Sequence, residues 1–458
     1  MTMNDLLYKT VSDHTLVLGI DLGTTTLSAA VVDLTGHTQV NSHTVITNAS
    51  RFSEKDFREQ DPDLILQKTT VLIDSILSLY PNIRAIGFTG QMHGILYTDK
   101  YGHAVSPLFT WQDRRADREI TCGKTYCDDI KEHTGHNIST GYGLATHYYN
   151  TKNALVPTKS VYLCTLMDYV VMRLSNTAVP VIHSTNAASL GLYLLEENRF
   201  DFNSLSILGM TNIQLPSVTT TPVAAGYYKK IPVFTSIGDN QASFFGTVRH
   251  DRDILLNYGT GAQISVITTS PSPLPGTEIR PYFDGKYLLC GSALCGGRAY
   301  AILGNFFKEY LSACGFSDHD PYAVMNQLAA KAYPYSPLKI STTFSGTRSE
   351  PEKKGAILHL DENNFKPEFF ALGVLQGMVD ELYDLCMNAP SITYRDVIAS
   401  GNAVQKNPIL RQLISDKFKT PAKLPVVKEE AAFGAALTAA LYSGLDNIEN
   451  IKRCIAYQ

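Results

Sequence analysis

The feature that most constrains this chain is the segment 16–33, LVLGIDLGTTTLSAAVVD, in which two apolar runs flank a short polar turn. Residues 16–20 and 27–32 have the length and composition of strands, so the pattern predicts a β-hairpin. Gly23 leaves room for an anion beside the backbone, and the threonines after it add hydroxyl donors next to N–H groups. Asp21 ends the first strand, where a carboxylate can hold Mg²⁺ through water. The turn therefore fits a phosphate site, and it fits equally well a plain hairpin whose threonines favour strands.

The same pattern recurs in the other half of the chain. Residues 253–268, DILLNYGTGAQISVIT, again combine a strand, a polar residue, a Gly-Thr-Gly turn and a second strand. Aligned by eye, residues 257–261 fall on residues 21–25 of the first hairpin. Two hairpins of this composition indicate an internal duplication, and we predict the domains 1–245 and 246–458.

The composition is that of an ordinary globular protein. The chain has 458 residues, 44% of them hydrophobic and 18% charged, which is enough for two or more domains with full-sized cores. A net charge of -4 and the lack of a Lys/Arg block argue against nucleic acid as a partner. No apolar run reaches the roughly 18 to 20 residues that a membrane span needs, and the first residues lack a signal-peptide core. We therefore expect a soluble, cytoplasmic protein without a membrane partner.

The cysteines and histidines give no sign of a structural metal or disulfide. The 8 cysteines include no C-x-x-C pair, so we predict free thiols. His133 and His136 form an H-x-x-H without a third ligand at the usual spacing, which favours a loop pair over a zinc site.

Three further apolar strands each lead into a polar, glycine-containing loop, a layout that places site residues at the edge of a sheet. These strands, each with its loop, are 83–88 with 89–94, 231–237 with 238–241, and 396–399 with 400–403. Residues 61–80 predict an amphipathic helix that begins with Pro62 and has Val71 and Leu79 on its apolar stripe.

Six motifs resemble those of the FGGY carbohydrate kinases, in the family's order. They are GIDLGTTT (19–26), GQMHG (90–94), WQDRR (111–115), IGDNQAS (237–243), NYGTGAQ (257–263) and ASGNAVQKNPIL (399–410). The resemblance extends from Leu16 to about Leu441. GQMHG together with W-x-D-x-R is similar to the xylulokinase and sedoheptulokinase branch. Residues 281–307, SGNAVQKNPIL and FSGTRSEP (344–351) resemble the sedoheptulokinases more specifically.

Two positions depart from the family's pattern. Arg114 stands where W-x-D-G-R has glycine, and Ser400-Gly401-Asn402 replaces the Gly-Gly-Gly turn that binds adenosine. Both positions touch ligand contacts, so they bear on the identity of the sugar more than on the reaction.

The resemblance implies both a fold and a reaction. The fold is α/β, a two-lobed actin-like ATPase (ribonuclease H-like) fold with a duplicated domain and a cleft between the lobes. The reaction is phosphorylation of a ketose at its terminal hydroxyl by ATP with Mg²⁺, with sedoheptulose and its 7-phosphate as the specific prediction. The alternatives are a xylulokinase or another ketose or polyol kinase and, in a different class, a non-catalytic sugar sensor or a sugar-independent ATPase. A homodimer is the assembly that we considered.

The resemblance also assigns the sugar site. Asp239 matches the family's catalytic base, which suits a reaction that needs alignment, charge neutralisation and a carboxylate to take the proton. On local grounds alone, Asp239 could instead cap a helix that begins near Gln241. The implied sugar contacts are Gln91, Met92, His93, Trp111, Asp113 and Asn240. The sequence does not decide whether the ring of Trp111 stacks on a sugar or fills a core.

The implied nucleotide site draws on both halves of the chain. Gly23, Thr24 and Thr25 from the first hairpin, and Gly259, Thr260 and Gly261 from the second, are expected at the outer phosphates. Asp21 would hold Mg²⁺ through water. Gly297, Gly401 and Asn402 are expected near the ribose and adenine, although ordinary helix entry also explains such glycines.

Overall fold

The protein is described by a computed structural model over residues 14–51, 55–316, 320–348, 350–387 and 392–458. The chain divides into two compact units. The first contains Met1–Thr247, Arg280–Lys286 and Val427–Ala456, and the second contains Val248–Ile279, Tyr287–Val426 and Tyr457–Gln458. The predicted domains are continuous in sequence, whereas the first unit also contains two segments from the second half of the chain.

Each unit is built on one six-stranded sheet. The strands of the two sheets are β1 (Leu16–Leu22), β2 (Thr26–Asp33), β3 (Thr38–Ile46), β4 (Ile83–Gly90), β5 (Ala224–Tyr228), β6 (Ile231–Phe234), β7 (Ile254–Tyr258), β8 (Ala262–Thr268), β9 (Thr277–Pro281), β10 (Tyr287–Ala293), β11 (Val397–Ser400) and β12 (Ala422–Lys423).

The α-helices of the described residues are α1 (Pro62–Leu79), α2 (Tyr126–Thr134), α3 (Gly143–Lys152), α4 (Leu166–Leu174), α5 (Ser184–Ala187), α6 (Phe202–Ile207), α7 (Asp239–Thr247), α8 (Gly297–Ala313), α9 (Pro321–Ala332), α10 (Pro367–Cys386), α11 (Asn402–Lys406), α12 (Pro408–Phe418), α13 (Glu430–Tyr442) and α14 (Ile448–Arg453).

Five strands of each sheet share one arrangement, and the sixth strand lies at opposite edges, β5 beside β6 in the first sheet and β9 beside β10 in the second. In the first sheet the order is β5-β6-β4-β1-β2-β3, with β1 antiparallel to β2 and parallel to β4. In the second the order is β9-β10-β8-β7-β11-β12, with β7 antiparallel to β8 and parallel to β11. Leu22 pairs with Leu27 at the end of the first hairpin, and Tyr258 pairs with Ala262 at the end of the second. The two predicted hairpins are confirmed, and the shared topology supports the duplication.

Short strands frame the loops of the first unit. Ser50–Arg51, Glu59–Gln60 and Leu108–Phe109 form an antiparallel three-stranded sheet. The other two-stranded pairs are Leu96–Thr98 with Tyr162–Cys164, Glu119–Thr121 with Lys124–Thr125, Val181–His183 with Ser217–Thr219, Tyr193–Leu194 with Arg199–Phe200 and, in the second unit, Lys339–Ser341 with Ala356–Leu358.

The predicted helix over residues 61–80 is confirmed as α1, which Asp61 caps by accepting hydrogen bonds from the N–H groups of Asp63 and Leu64. The predicted apolar stripe was partly wrong. Val71 is 60% exposed and Leu79 is 50% exposed, whereas Ile65 and Ile73 are fully buried in the core of the first sheet. The buried face of α1 is therefore rotated relative to the prediction.

Helix α13 packs closely on β1 and β4, which lie far from it in the sequence. A Cβ atom on Gly19 of β1 would lie 1.8 Å from the carbonyl oxygen of Ala432, and one on Gly87 of β4 would lie 2.0 Å from that of Ala435. Only glycine allows strand and helix backbones to approach this closely. Gly434 of α13 packs on α7 in the same way, because a Cβ atom on Gly434 would lie 1.8 Å from the carbonyl oxygen of Ala242. The alanine-rich helix thereby fixes the sheet and the helix that begins at Asp239.

Candidate active site

Three carboxylates interact in the first unit. Asp21 lies at the end of β1, Asp239 begins α7, and Glu429 directly precedes α13. Burial, followed by the negative charges of Asp239 and Glu429, raises the pKa of Asp21 to about 7. Sequence reasoning missed Glu429, whose backbone adopts φ 54° and whose Oε1 accepts a hydrogen bond of 2.8 Å from Thr44. Negative charge therefore accumulates around Asp21, and a hard divalent cation would offset it.

Asp239 is held at the start of α7. Its Oδ1 accepts hydrogen bonds from the backbone N–H of Asn240 at 2.6 Å and from the Asn240 amide at 2.8 Å. Burial raises the pKa of Asp239, and the positive charge of Arg280 and the two Asn240 hydrogen bonds oppose this rise. Helix α7 includes Asp239 in its first turn, so the capping role near Gln241 is not what the structure shows. Arg280, from β9, was not predicted because no local pattern marks it.

A polar clamp holds the loop that delivers Asp239. The N–H of Gly238 donates to Thr185 Oγ1 at 3.0 Å. The Asn186 amide donates to the backbone oxygen of Ser236 at 3.2 Å and to its hydroxyl at 3.0 Å. That hydroxyl donates in turn to Asp168 Oδ1 at 3.1 Å. The backbone between β6 and α7 is thus fixed by buried side chains from α4 and α5.

Residues 89–94, the predicted sugar loop, approach the loop that precedes Asp239. Met92 is buried, and a Cβ atom on Gly238 would lie 2.8 Å from its Cε atom. His93 adopts φ 74°, and its Nδ1 hydrogen-bonds the carbonyl oxygen of Ser189 at 2.7 Å. Its ring lies 4.5 Å from that of Tyr142, measured between centroids. The structure therefore brings Met92 to the Asp239 loop and fixes His93 against the segment after α5.

Trp111 joins the first hairpin turn to the same loop. Its indole Nε1–H donates to Thr24 Oγ1 at 3.0 Å, and the Thr24 hydroxyl donates to Gln91 Oε1 at 3.2 Å. The Trp111 side chain is 47% exposed, so it does not fill a core. Of the other predicted turn residues, Thr25 is exposed and Gly23 is partly buried.

Asp113 was predicted to accept hydrogen bonds from sugar hydroxyls, but in the structure it accepts them from Arg115 and Arg58. It is fully buried, and its Oδ1 accepts hydrogen bonds from the backbone N–H and the Nε of Arg115. Its Oδ2 accepts hydrogen bonds from the backbone N–H of Arg58 at 2.9 Å and from Arg115 Nη2 at 3.0 Å. Arg115 also pairs with Glu59 at 2.8 Å. Asp113 therefore anchors a buried arginine, whereas Arg114, the departure from the family pattern, is exposed and pairs with Asp117.

The predicted nucleotide residues of the second unit lie at three adjoining chain segments. The N–H of Gly297 donates to the Gly259 oxygen at 2.9 Å, which places the start of α8 on the second hairpin turn. Gly401 adopts φ 92°, and a Cβ atom there would lie 2.5 Å from the Tyr258 oxygen. Asn402, which begins α11, is exposed, as are Gly259 and Thr260, and Gly261 is partly buried. The geometry leaves exposed backbone and small side chains at the start of α8, an arrangement that suits an anionic ligand.

Two further features are absent from the described residues. The described residues include no group of three or more His, Cys, Asp or Glu side chains arranged to hold a metal ion. None of the helices in the described ranges has the length and apolar character that crossing a membrane requires.

Comparison with known proteins places the chain in a family. The N-terminal domain model of the FGGY family of carbohydrate kinases matches residues 16–246, and the C-terminal domain model matches residues 254–443. Mouse sedoheptulokinase is 26% identical, covering 93% of this chain and 98% of the mouse protein; human sedoheptulokinase is 27% identical, covering 92% and 96%. The structure of ligand-bound xylulose kinase from Lactobacillus acidophilus is similar, with a TM-score of 0.81 at 21% identity, covering 97% of this chain and 93% of that one. The two α/β units are thus those of a known kinase fold, and the chain belongs to the FGGY family of carbohydrate kinases.

Proposed function

We propose that this kinase transfers the γ-phosphoryl group of ATP to the terminal C7 hydroxyl of sedoheptulose, with Asp239 as the base. The observation that carries the proposal is the setting of Asp239. Its carboxylate is fixed at the first turn of α7 by Asn240, and the loop before it is clamped by Thr185 and Asn186. A base works best when its geometry is fixed and its pKa is closer to the working pH than that of an ordinary aspartate, and burial moves Asp239 in that direction.

The other side chains of the first unit have separate roles in this proposal. Met92, beside Gly238, contacts the carbon skeleton of the ketose, and His93 and Asn240 bind its hydroxyls. Trp111 offers an exposed ring face to the sugar. Gln91 and Thr24, which hydrogen-bond each other, position the sugar loop beside the phosphate turn. Asp113 makes no direct sugar contact in this proposal, because Arg115 and Arg58 donate hydrogen bonds to both of its oxygens.

The nucleotide would be held by Gly23, Thr24 and Thr25 and, from the second unit, by Gly259, Thr260, Gly261, Gly297, Gly401 and Asn402. Asp21 would hold Mg²⁺ through water, and the ion supplies charge neutralisation on the phosphate oxygens when it is bound. The charges of Asp239 and Glu429 support this assignment because a cation beside Asp21 would offset their repulsion of its carboxylate. With no cluster of three metal-ligating side chains among the described residues, water and phosphate would complete the coordination.

The sugar specificity rests on similarity. The mouse and human relatives are sedoheptulokinases, and the motifs FSGTRSEP and SGNAVQKNPIL support the same branch. The rival within the class is a xylulokinase, because GQMHG is compatible with both.

The test is a panel assay with ATP and Mg²⁺ against sedoheptulose, D-xylulose, D-ribulose and glycerol, with the product identified by mass and the phosphorylated carbon by NMR. We expect the highest kcat/KM for sedoheptulose and a 7-phosphate product. A higher kcat/KM for D-xylulose would replace the proposed substrate with the rival one. ATP hydrolysis without any phosphorylated sugar, or sugar binding without turnover, would reject the kinase assignment.

A further inference from the structure

Gln60 is a buried polar residue that connects two parts of the candidate site. It is the second residue of the two-residue strand Glu59–Gln60 and is 1% exposed. Its Nε2 donates to the backbone oxygen of Thr24 at 2.6 Å, and its Oε1 accepts from Gln91 Nε2 at 2.8 Å. One side chain therefore contacts both the phosphate turn and the sugar loop.

The hydrogen bonds around Gln60 have only one consistent direction. The Thr24 carbonyl can only accept, so it faces the amide nitrogen of Gln60 and leaves the amide oxygen for Gln91. Gln91 must then present its own amide oxygen to the Thr24 hydroxyl, which donates to it at 3.2 Å. At the other end, the Trp111 indole can only donate, so Thr24 Oγ1 accepts from it at 3.0 Å. The orientations of the Gln60 and Gln91 amides are therefore both set by their neighbours.

We propose that Gln60 is a positioning residue that holds the phosphate turn and the sugar loop in one fixed arrangement. This inference rests on the proposed function, because Thr24 is assigned to the phosphates and Gln91 to the sugar. Without Gln60, the buried Gln91 amide loses a partner, and the Thr24 carbonyl keeps only the Thr47 hydroxyl, at 3.2 Å. Both segments should then shift toward new partners. The binding of ATP and of the ketose should then weaken together, although Gln60 touches neither ligand.

The first test compares wild type, Gln60→Leu and a control, Thr69→Val, all in the full chain. The control removes a buried hydroxyl in α1 that donates only to the Ile65 carbonyl oxygen of its own helix. For Gln60→Leu we expect a rise of at least about fivefold in the KM of the ketose and in the Kd of adenylyl imidodiphosphate with Mg²⁺, measured without sugar. For Thr69→Val we expect both constants to stay within about twofold of wild type. Unchanged constants in Gln60→Leu would overturn the proposal, whatever the loss of thermal stability.

Gln60→Glu provides a second, independent test of the positioning role if the leucine variant does not fold. A protonated glutamic acid again offers an O–H donor to the Thr24 carbonyl and an acceptor to Gln91, whereas the carboxylate offers no donor. The flanking carboxylates are already paired, Glu59 with Arg115 and Asp61 with Arg51. We therefore expect the activity of Gln60→Glu, relative to wild type at each pH, to rise at least threefold from pH 8 to pH 6. A flat ratio would contradict the positioning role.

The two proposals can fail separately. If the wild type phosphorylates no sugar of the panel, the proposed function is rejected. The Kd of adenylyl imidodiphosphate in wild type and in Gln60→Leu still tests the role of Gln60. If the wild type phosphorylates a ketose and Gln60→Leu matches it in both constants, only the inference about Gln60 falls.

Discussion

At the scale of single residues, Asp239 provides the most direct test of the chemistry. Asp239→Asn keeps the size of the side chain but removes its ability to take a proton. We expect kcat to fall by roughly 10²–10⁴, the usual contribution of a general base, with the KM of the ketose changed less than about threefold. Because burial raises the pKa of Asp239, the acid limb of the wild-type kcat/KM profile should also lie above the ordinary aspartate value of 3.8. An asparagine variant that retains more than a tenth of kcat would contradict the assignment.

The raised pKa of Asp21 predicts that replacing it changes stability in the direction opposite to that for an ordinary paired aspartate. Its pKa is raised from 3.8 to about 7 in the folded state, so ionisation costs stability above pH 7, and this cost disappears as the pH falls toward 4. Asp21→Asn should therefore raise Tm by at least about 2 °C at pH 8 and leave it unchanged at pH 4, without Mg²⁺ or nucleotide. Thermal denaturation followed by circular dichroism measures this.

Asp201 offers the matched control for that experiment. The hydroxyl of Ser204 and the imidazole of His136 lower the pKa of Asp201 to about 2, so its ionised form stabilises the protein above pH 4. The same substitution, Asp201→Asn, should therefore lower Tm at pH 8. Equal shifts in the two variants would show that the change reflects the loss of negative charge in general and not the local surroundings.

At the scale of elements, the clamp on the Asp239 loop should affect turnover more than binding. Thr185→Val removes the acceptor of the buried Gly238 N–H, and an unsatisfied buried group costs about 1–3 kcal/mol. We expect kcat to fall at least tenfold with a smaller change in KM, and Thr185→Ser, which keeps the acceptor, to restore most of the loss. Thr438→Val, which removes a hydroxyl bonded only to the Gly434 carbonyl within α13, is the control. A valine variant with wild-type kcat would show that the clamp is not needed for turnover.

The contact between α13 and α7 makes a second prediction at this scale. In Gly434→Ala the new methyl group would start 1.8 Å from the Ala242 oxygen, so the two helices must separate. Overpacking of this kind costs about 1–3 kcal/mol, and we expect a lower Tm together with reduced kcat because α7 carries Asp239. Gly304→Ala in α8 meets nothing closer than the Tyr322 ring at 3.4 Å, so it should be neutral or stabilising. A Gly434→Ala variant as stable as wild type would refute the close packing.

The sequence predicted well the features that depend on neighbours along the chain. The hairpins follow from alternating apolar runs and glycine turns, and their repetition revealed the duplication. Prediction failed where a partner is distant in sequence. Asp113 looked available because its partner Arg58 lies 55 positions away, and because Arg115 is buried by its pairing with Glu59, 56 positions away. Gln60 was missed because its strand has two residues and its partners lie 36 and 31 positions away. Val71 and Leu79 were misassigned because their hydrophobicity does not reveal which side of α1 meets the sheet.

At the scale of the whole molecule, the first unit should require the end of the chain. A fragment of residues 1–247 lacks α13, which covers the glycines of β1 and β4, and it also lacks Arg280. We expect this fragment to show no cooperative thermal transition, and we expect the same fragment joined by a Gly/Ser linker to residues 427–456 to regain one. Circular dichroism and calorimetry measure both. A cooperative transition in residues 1–247 alone would show that α13 is dispensable for this fold.

The late position of α13 also determines when the protein can mature during synthesis. The strands that carry Asp21 and the sugar loop leave the ribosome before the helix that packs on them, because that helix follows the second unit's segment Tyr287–Val426 in the chain. Until then their apolar face stays open to other chains, so nascent molecules should depend on chaperones more than a domain with contiguous partners does. For the same reason, a stop codon placed just before α13 should damage the first unit as much as one placed directly after α7.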